Sequence, residues 1–166
     1  LASNIPDLAL ELVAAGLKDA FQQQPSQVPE AELHAAFQVL QGKMQAAAEA
    51  AAAQAAQAGV DFLAENAKRG GVITLASGLQ YEVVTAGTGA TPDASSTVRT
   101  HYEGTLISGE VFDSSYKRGQ PAEFPVGGVI AGWTEALQLM QEGAKWRLYI
   151  PSELAYGARG AGNSIP

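Results

Sequence analysis

The chain has 166 residues, of which 46% are hydrophobic and 16% are charged, and its formal net charge is −7. This composition can supply a packed core, whereas the acidic balance argues against binding to a nucleic-acid backbone or to an anionic membrane surface. The sequence has no cysteine, which excludes disulfides, thiol nucleophiles and zinc–thiolate sites. No apolar run approaches the roughly 18 residues of a membrane span, so we expect no transmembrane segment.

The first 70 residues are predicted to be helical. A short helix is expected after Pro6, and the proline-containing stretch QQQPSQVPE ends it. A long helix is expected from about residue 30 to 69, because residues 46–58 contain ten alanines and no proline occurs between Pro29 and Pro92.

Four apolar side chains of the long helix repeat at spacings of four, three and four residues: Leu33, Phe37, Leu40 and Met44. This spacing is typical of a coiled-coil contact, so the helix is interpreted as a dimerisation arm or spacer. The alternative is a helix that breaks near Gly42 or Gly59 and folds back into a bundle.

Residues 71–166 are predicted to form strands around one short helix. Alternating apolar residues indicate strands at 78–84, 98–103 and 145–150, and residues 107–110 contain a turn signal. Apolar residues at helical spacing predict a helix over 133–140. The fold class is therefore α+β, with an N-terminal helical arm that includes one long helix, followed by an antiparallel sheet wrapped on one short helix. Gly70 and Gly71 mark the predicted boundary between a helical domain, 1–70, and a second domain, 71–166.

Motifs for covalent, metal or cofactor chemistry are absent from the sequence. It contains no nucleophile elbow, no Walker-type phosphate loop and no zinc-binding H-E-x-x-H. His34 is expected to be a solvated helix residue, and His101 has no evident nucleophile as a partner. The carboxylates show no metal-ligand spacing, so we expect neither a metal ion nor a cofactor.

Aromatic residues of the second half instead occur around a few polar groups, in the strings VRTHYEGTLISGEVFDSS, RGQPAEFPVGGVIAGWTEAL, GAKWRLYIP and ELAYGARGAGNSIP. In this order the strings strongly resemble the FKBP-type peptidyl-prolyl cis–trans isomerases, from about residue 77 to 166. The helical half, through GVDFLAENAKRGGV, looks like the N-terminal arm of the bacterial two-domain (Mip-like) members. The resemblance implies an FKBP-like antiparallel sheet and a homodimer that pairs through the N-terminal helices.

The resemblance also implies roles for individual residues. The catalytic pocket would be formed by Tyr102, Phe112, Asp113, Ile130, Trp133 and Tyr156. Substrate contacts would come from Arg118, Phe124, Val129 and Ile165. Trp133 would be the pocket floor and Arg118 the partner of Asp113. The Ile130 backbone N–H and the Tyr156 hydroxyl would donate to carbonyl groups of the ligand.

Three departures from the family pattern are expected to matter. Ala122 stands where some members have an aromatic residue, and Ala161 replaces a bulkier rim residue, so we expect a wider pocket and altered substrate preference. The sequence stops at Pro166, where the family continues into a last strand inside the sheet that adds a further pocket aromatic. Because the sheet would otherwise expose unpaired backbone groups, we expect the biological protein to be longer, with a further helix before Leu1.

The function implied by the resemblance is peptidyl-prolyl cis–trans isomerisation, in which an apolar aromatic pocket binds the twisted X–Pro amide of a folding protein. The alternative is a holdase-type chaperone or binding module with a vestigial FKBP pocket. Expected partners are proline-containing unfolded or partly folded proteins, with macrolide immunosuppressants as inhibitors. The compartment stays open between cytoplasm and periplasm, with the cytoplasm slightly favoured.

Overall fold

The computed structural model describes residues 16–19, 21–22, 29–157, 160–162 and 165. The chain divides into two compact units, Leu1–Ala48 and Glu49–Pro166. In the first unit residues 16–19 are helical, and the start of the short helix predicted after Pro6 lies outside the described residues. The domain boundary predicted near residue 70 from composition stays a prediction.

The long helix, α1, spans Glu30–Asn66 and has 37 residues. It continues through Gly42 and Gly59, so the alternative of a helix broken at these glycines is wrong. The alanine-rich segment 46–58 lies between the two glycines and supplies the helix propensity that offsets them. Within the described part of the chain, no helix combines the length and the apolar character needed to cross a bilayer.

Helix α1 ends at Asn66, three residues before the predicted end. The amide N–H groups of Lys68 and Arg69 bond to carbonyl oxygens three residues back, at 3.1 and 3.0 Å. Gly71 then adopts a φ of 88°, a conformation that glycine reaches at little cost. These tighter turns replace the last helical turn and direct the chain into the first strand.

The described part of the second unit contains these further elements in chain order: β1 (Val72–Thr74), β2 (Gln80–Thr85), β3 (Thr97–Thr100), β4 (Glu103–Thr105), β5 (Val111–Ser114), β6 (Ala122–Pro125), α2 (Ala131–Leu137) and β7 (Lys145–Tyr149). Strands β1, β2 and β7 form an antiparallel sheet in that order, with Tyr81 opposite Leu148 and Val83 opposite Trp146. The other two pairs, β3 with β6 and β4 with β5, are also antiparallel.

The prediction of one continuous strand over residues 98–103 is wrong. The chain forms β3 and then β4, which pair with different strands, and His101 and Tyr102 between them belong to neither. The predicted turn at 107–110 is present, with the Leu106 N–H bonded to the Glu110 carbonyl at 2.8 Å. Strand propensity is similar along the whole segment, so it does not reveal where a strand changes its partner.

Helix α2 occupies the position predicted for the short helix, although it begins at Ala131 and ends at Leu137 rather than spanning 133–140. Gly132 is buried, and a Cβ at this position would lie 2.6 Å from Cγ2 of Ile150. Glycine therefore lets α2 approach the chain that follows β7. The Thr134 hydroxyl also donates to the Val126 carbonyl at 2.8 Å, which fixes the helix against the preceding turn.

The last turn of α1 packs on the sheet within the second unit. Asn66 and Gln80 are 3% and 4% exposed, and the Asn66 amide donates to the Gln80 side-chain oxygen at 2.8 Å. The Gln80 amide in turn donates to the Leu63 carbonyl at 2.9 Å. Phe62 contacts Tyr149 of β7, with ring centroids 5.9 Å apart. Both buried amides are thus satisfied, as burial of polar groups requires.

Candidate active site

Three aromatic rings from three different elements meet at one point. Tyr102 lies between β3 and β4, Phe124 lies in β6 and Trp133 lies in α2. The Tyr102 and Trp133 ring centroids are 5.2 Å apart, and Phe124 lies 5.6 Å from each, with interplanar angles from 65° to 89°. Such edge-to-face contacts are favoured because the positive edge of one ring meets the negative face of another. These three residues are called the ring cluster below.

Beside the ring cluster, Tyr102 forms a polar triangle with Asp113 and Arg118. The Tyr102 hydroxyl donates a short hydrogen bond to Oδ2 of Asp113, and the Arg118 guanidinium forms an ion pair with Oδ1. Nη2 of Arg118 donates to the Tyr102 hydroxyl oxygen at 2.8 Å. Because Tyr102 belongs to both groups, it joins the apolar part of the site to its charged part.

The polar triangle determines the charge states of its members. The hydrogen bond from Tyr102, followed by that from Arg118, holds the pKa of Asp113 below its ordinary value. Burial, followed by the bond to Asp113, raises the pKa of the Tyr102 phenol. At neutral pH the carboxylate is therefore ionised and the phenol is neutral, which are the states in which the phenol donates and the carboxylate accepts.

Arg118 reaches Asp113 because the chain turns sharply after β5. The Gly119 N–H bonds to the Tyr116 carbonyl at 3.1 Å, and Gly119 adopts a φ of 73°, where glycine is favoured. The turn brings the guanidinium carbon of Arg118 to 5.4 Å from the centroid of the Tyr102 ring. Arg118 therefore contacts the hydroxyl and approaches the ring of the same tyrosine.

Phe112 lies on β5, directly before Asp113, and is half-buried. Its ring lies against Gly104 of β4, at a position where any Cβ would overlap the ring carbons. The absence of a side chain at Gly104 therefore makes room for the Phe112 ring. Among the described residues Phe112 makes no ring contact with the ring cluster, so its predicted role in the pocket stays a prediction.

Val129 and Ile130 are half-buried immediately before α2. The Ile130 carbonyl accepts the N–H groups of Trp133 and Thr134 at 2.9 and 3.0 Å, which fixes the start of the helix. The Ile130 N–H itself has no hydrogen-bond partner in the described part of the chain. The Ile130 N–H, three residues before Trp133, is therefore an unused hydrogen-bond donor.

The structure does not bring Tyr156 or Ile165 into the ring cluster. Tyr156 is 41% exposed and has no ring contact with another described aromatic residue. Ile165 pairs with Ala161 through two backbone hydrogen bonds of 3.1 and 3.2 Å. The roles predicted for Tyr156 and Ile165 therefore stay predictions.

Sequence reasoning missed Ser115, which is fully buried next to Tyr102. Its hydroxyl contacts the Tyr102 backbone and the His101 ring. Ser115 follows Ser114 in the string VFDSS, where a serine after a strand usually indicates an exposed turn. Nothing in the local pattern distinguishes this buried serine from a turn residue.

A surface depression of about 200 Å³ is lined by Val83, Ala86, Gly87, Leu139, Gln141, Ala144 and Trp146. None of these residues belongs to the predicted site, and none has an ionisable side chain. The depression is therefore separate from the ring cluster and the polar triangle. Across the residues that the structure describes, no group of three or more His, Cys, Asp or Glu side chains could hold a metal ion.

Comparison with known proteins gives two family matches. The family described as "FKBP-type peptidyl-prolyl cis-trans isomerase" matches residues 89–166. The family described as "domain amino terminal to FKBP-type peptidyl-prolyl isomerase" matches residues 1–83. The crystal structure of FkpA from Escherichia coli matches with a TM-score of 0.80 and 40% identity, covering 97% of this chain and 77% of that chain. The predicted fold class, a long helix followed by an antiparallel sheet with a short helix, is confirmed.

The relatives also match closely in sequence. The FKBP-type 22 kDa peptidyl-prolyl cis-trans isomerase of Escherichia coli K12 is 49% identical over 99% of this chain and 80% of that protein. The outer membrane protein MIP of Legionella longbeachae is 54% identical over 63% of this chain, and the match spans 45% of that protein. Since a relative named as an isomerase matches almost the whole chain, this chain belongs to the FKBP-type peptidyl-prolyl cis–trans isomerases, in the group of two-domain bacterial members.

Proposed function

We propose that this chain accelerates cis–trans isomerisation of X–Pro bonds in folding proteins, with the prolyl ring bound at the ring cluster. One observation carries the proposal: three rings in mutual edge-to-face contact adjoin an ionised carboxylate that a tyrosine and an arginine hold in place. An apolar surface and a fixed charge therefore lie side by side, and no nucleophile is required.

The reaction needs selective binding of a twisted amide and no covalent step. Rotation about the X–Pro bond crosses a barrier of about 18–20 kcal/mol because the planar amide is resonance-stabilised, and uncatalysed exchange takes tens to hundreds of seconds. In the twisted state the carbonyl oxygen loses negative charge and the prolyl nitrogen becomes pyramidal. A water-poor aromatic surface therefore binds the less polar twisted state better than the planar one. A thousandfold acceleration requires only about 4 kcal/mol of such selectivity.

Asp113 is proposed to add an electrostatic contribution. A fixed carboxylate repels the substrate carbonyl oxygen more strongly in the planar amide than in the twisted amide, because twisting removes negative charge from that oxygen. The barrier is lowered by this difference, and no side chain has to reorganise during the reaction. The bonds from Tyr102 and Arg118 to Asp113 support this role, since they hold the carboxylate in one orientation.

The remaining predicted site residues are proposed to surround the substrate. Trp133 would form the floor under the prolyl ring, with Phe112 as a further pocket aromatic and Val129 and Ile130 at the aliphatic edge. The Ile130 N–H would donate to a substrate carbonyl, a role that its lack of a partner among the described residues supports. Tyr156 is proposed to donate from its hydroxyl at the rim, and Ile165 to contact the substrate from the following loop. Macrolide immunosuppressants are proposed to inhibit the enzyme by occupying the same surface.

The N-terminal domain, residues 1–70, is proposed to form a homodimer through its helices. Leu33, Phe37 and Met44 are 45, 57 and 53% exposed within the first unit, and their spacing suits a helix–helix contact. Sedimentation equilibrium should give twice the monomer mass for the protein with an intact N-terminus. Replacing Phe37 and Met44 by Glu should give a monomer that keeps isomerase activity on a short peptide, whereas a wild-type monomer would refute the dimer.

Two measurements on one preparation separate the proposed function from the holdase alternative. The first follows the isomerisation of a short X–Pro peptide in a protease-coupled assay. The second follows light scattering from an aggregating unfolded protein. We expect acceleration of the peptide reaction in proportion to enzyme concentration. A peptide rate equal to that of buffer, together with suppressed aggregation, would refute the isomerase proposal and support the holdase.

A further inference from the structure

The backbone of Tyr102 lies at a break in the strand ladder. His101 and Tyr102 separate β3, which pairs with β6, from β4, which pairs with β5. Tyr102 is half-buried, so its N–H and carbonyl groups need partners other than a neighbouring strand. The position of the Tyr102 ring and hydroxyl depends on what supplies those partners.

Ser115 supplies partners for both backbone groups of Tyr102. The Ser115 hydroxyl oxygen accepts the Tyr102 N–H at 2.8 Å. The Ser115 N–H donates to the Tyr102 carbonyl at 2.9 Å, and the Ser115 hydroxyl donates to the same carbonyl at 3.1 Å. Ser115 has no exposed surface, so bulk water does not reach it to replace these bonds.

The hydrogen-bond capacity of the Ser115 hydroxyl limits which tautomer of His101 can satisfy every partner. A hydroxyl has one proton to donate and two lone pairs to accept with. The proton goes to the Tyr102 carbonyl and one lone pair accepts the Tyr102 N–H. Nδ1 of His101 lies 3.0 Å from the same oxygen. An Nδ1 without a proton would compete with the Tyr102 carbonyl for the single proton of the Ser115 hydroxyl. A protonated Nδ1 can instead donate to the second lone pair of that hydroxyl, so that its proton and both lone pairs are used.

The ring of His101 is held in the orientation that this bond requires. It stacks on Tyr116, with ring centroids 4.7 Å apart and an interplanar angle of 13°. His101 is otherwise exposed, so Nε2 has access to solvent as an acceptor. The stacking contact and the hydrogen bond between Nδ1 and the Ser115 hydroxyl together fix the imidazole beside Ser115.

We infer that His101 and Ser115 are positioning residues for Tyr102, with Nδ1–H of His101 donating to the Ser115 hydroxyl and Ser115 holding the Tyr102 backbone. This inference rests on the proposed function, because Tyr102 contributes to both the ring cluster and the polar triangle there. His101 itself does not touch substrate. It acts through Ser115, so its removal loosens Tyr102 without removing any group from the site.

The tautomer of His101 is the first test. The chain has two histidines, so the variant His34→Gln leaves His101 as the only imidazole. Long-range ¹H–¹⁵N NMR spectra of this protein above neutral pH distinguish a protonated Nδ1 from a protonated Nε2. We expect the Nδ1–H form to predominate. A predominant Nε2–H form would overturn the inference, whether or not the protein is an active isomerase.

Two substitutions of His101 test the effect on Tyr102. His101→Asn keeps a donor near the position of Nδ1 but loses the ring, and His101→Phe keeps the ring on Tyr116 but loses the donor. We expect His101→Phe to accelerate hydrogen exchange of the Tyr102 amide and to lower kcat/KM, each roughly three- to tenfold. We expect His101→Asn to stay within about twofold of the wild type in both quantities, because its side-chain amide can still donate a hydrogen bond to the Ser115 hydroxyl.

The results separate the inference from the proposed function. Unchanged exchange of the Tyr102 amide in His101→Phe, or equal losses in both variants, would overturn the inference. If the wild-type protein has no isomerase activity, the proposed function fails, while amide exchange and the tautomer still decide the positioning roles. Should His101→Phe not fold, the tautomer in the His34→Gln protein remains decisive.

Discussion

Nη2 of Arg118 donates to the hydroxyl oxygen of Tyr102 at 2.8 Å, although the two residues are 16 positions apart in the sequence. The same hydroxyl uses its only proton in the bond to Asp113. The Tyr102 hydroxyl therefore bonds to two protein groups, and we do not expect it to bond to substrate. Its contribution to the proposed reaction is to orient the carboxylate, and each partner of the polar triangle can be removed separately.

Substitution of Tyr102 by Phe removes the hydroxyl and keeps the ring in the ring cluster. We expect kcat/KM for a short X–Pro peptide to fall roughly tenfold, because a hydrogen bond to a charged group is lost. The matched control is Tyr81→Phe, since Tyr81 stacks on Trp146 outside the site with ring centroids 4.2 Å apart. Equal kcat/KM values for Tyr102→Phe and Tyr81→Phe would contradict a role for the triangle.

The lowered pKa of Asp113 predicts how stability depends on pH. A carboxyl whose pKa is lower in the folded than in the unfolded chain stabilises the fold above its unfolded pKa, and this stabilisation disappears as the pH falls through the folded pKa. We therefore expect wild type to exceed Asp113→Asn in free energy of unfolding at neutral pH. The difference should shrink below roughly pH 4, near the ordinary pKa of Asp.

Urea unfolding of both proteins across this pH range measures the effect. Because the Asp113 side chain is 40% exposed, solvent screens the ion pair and the difference at neutral pH should be small. Parallel stability curves for wild type and Asp113→Asn at all pH values would contradict the assignment of an ionised, hydrogen-bonded Asp113.

Two glycine substitutions should have opposite effects on stability. Gly132→Ala places a methyl group 2.6 Å from Cγ2 of Ile150, so we expect a loss of about 1–3 kcal/mol from overpacking. Gly42 lies in α1 with no neighbouring group within 4 Å of its Cβ position, so Gly42→Ala should stabilise the helix by up to about 1 kcal/mol. Thermal unfolding measures both effects.

A second substitution tests whether crowding against Ile150 causes the loss of stability in Gly132→Ala. Adding Ile150→Leu to Gly132→Ala removes the β-branch methyl group Cγ2, which the new methyl group would meet at 2.6 Å, and should restore part of the lost stability. Additive destabilisation by the two substitutions would show that the close approach of α2 to Ile150 is not the cause.

The buried amide pair at the end of α1 should be sensitive to truncation. Asn66→Ala leaves the Gln80 side-chain oxygen without its donor, so we expect a loss of about 1–3 kcal/mol in free energy of unfolding. The control is Gln57→Ala, which removes an exposed bond of 2.9 Å to Asp61 and should change stability by less than about 0.5 kcal/mol. Similar losses for the two variants would contradict the role of burial.

Several parts of the fold follow from local sequence patterns. The alanine-rich segment 46–58 predicts a long helix because intrinsic propensity sums over many residues. The alternation over 145–150 predicts β7 because one face of the strand is more buried than the other. The end of α1 was predicted three residues late, since the hydrogen bonds that end it are tertiary and turn interactions that no local pattern encodes.

The candidate site was predicted less completely than the fold. The family resemblance named Tyr102, Phe124 and Trp133, and the structure brings these three rings together. It gave no indication of Ser115, because the function of that serine depends on the partner change between β3 and β4. Such a change is decided by long-range pairing, so neither propensity nor alternation reports it.

The most direct test of the central claim is the cis–trans exchange rate of an X–Pro peptide, measured by NMR exchange spectroscopy with catalytic amounts of enzyme. We expect fast exchange with wild type and with Trp146→Leu, because Trp146 lies outside the ring cluster, and a rate close to that of buffer with Trp133→Leu. Undiminished exchange in a folded Trp133→Leu protein would contradict the claim that these rings bind the twisted prolyl bond.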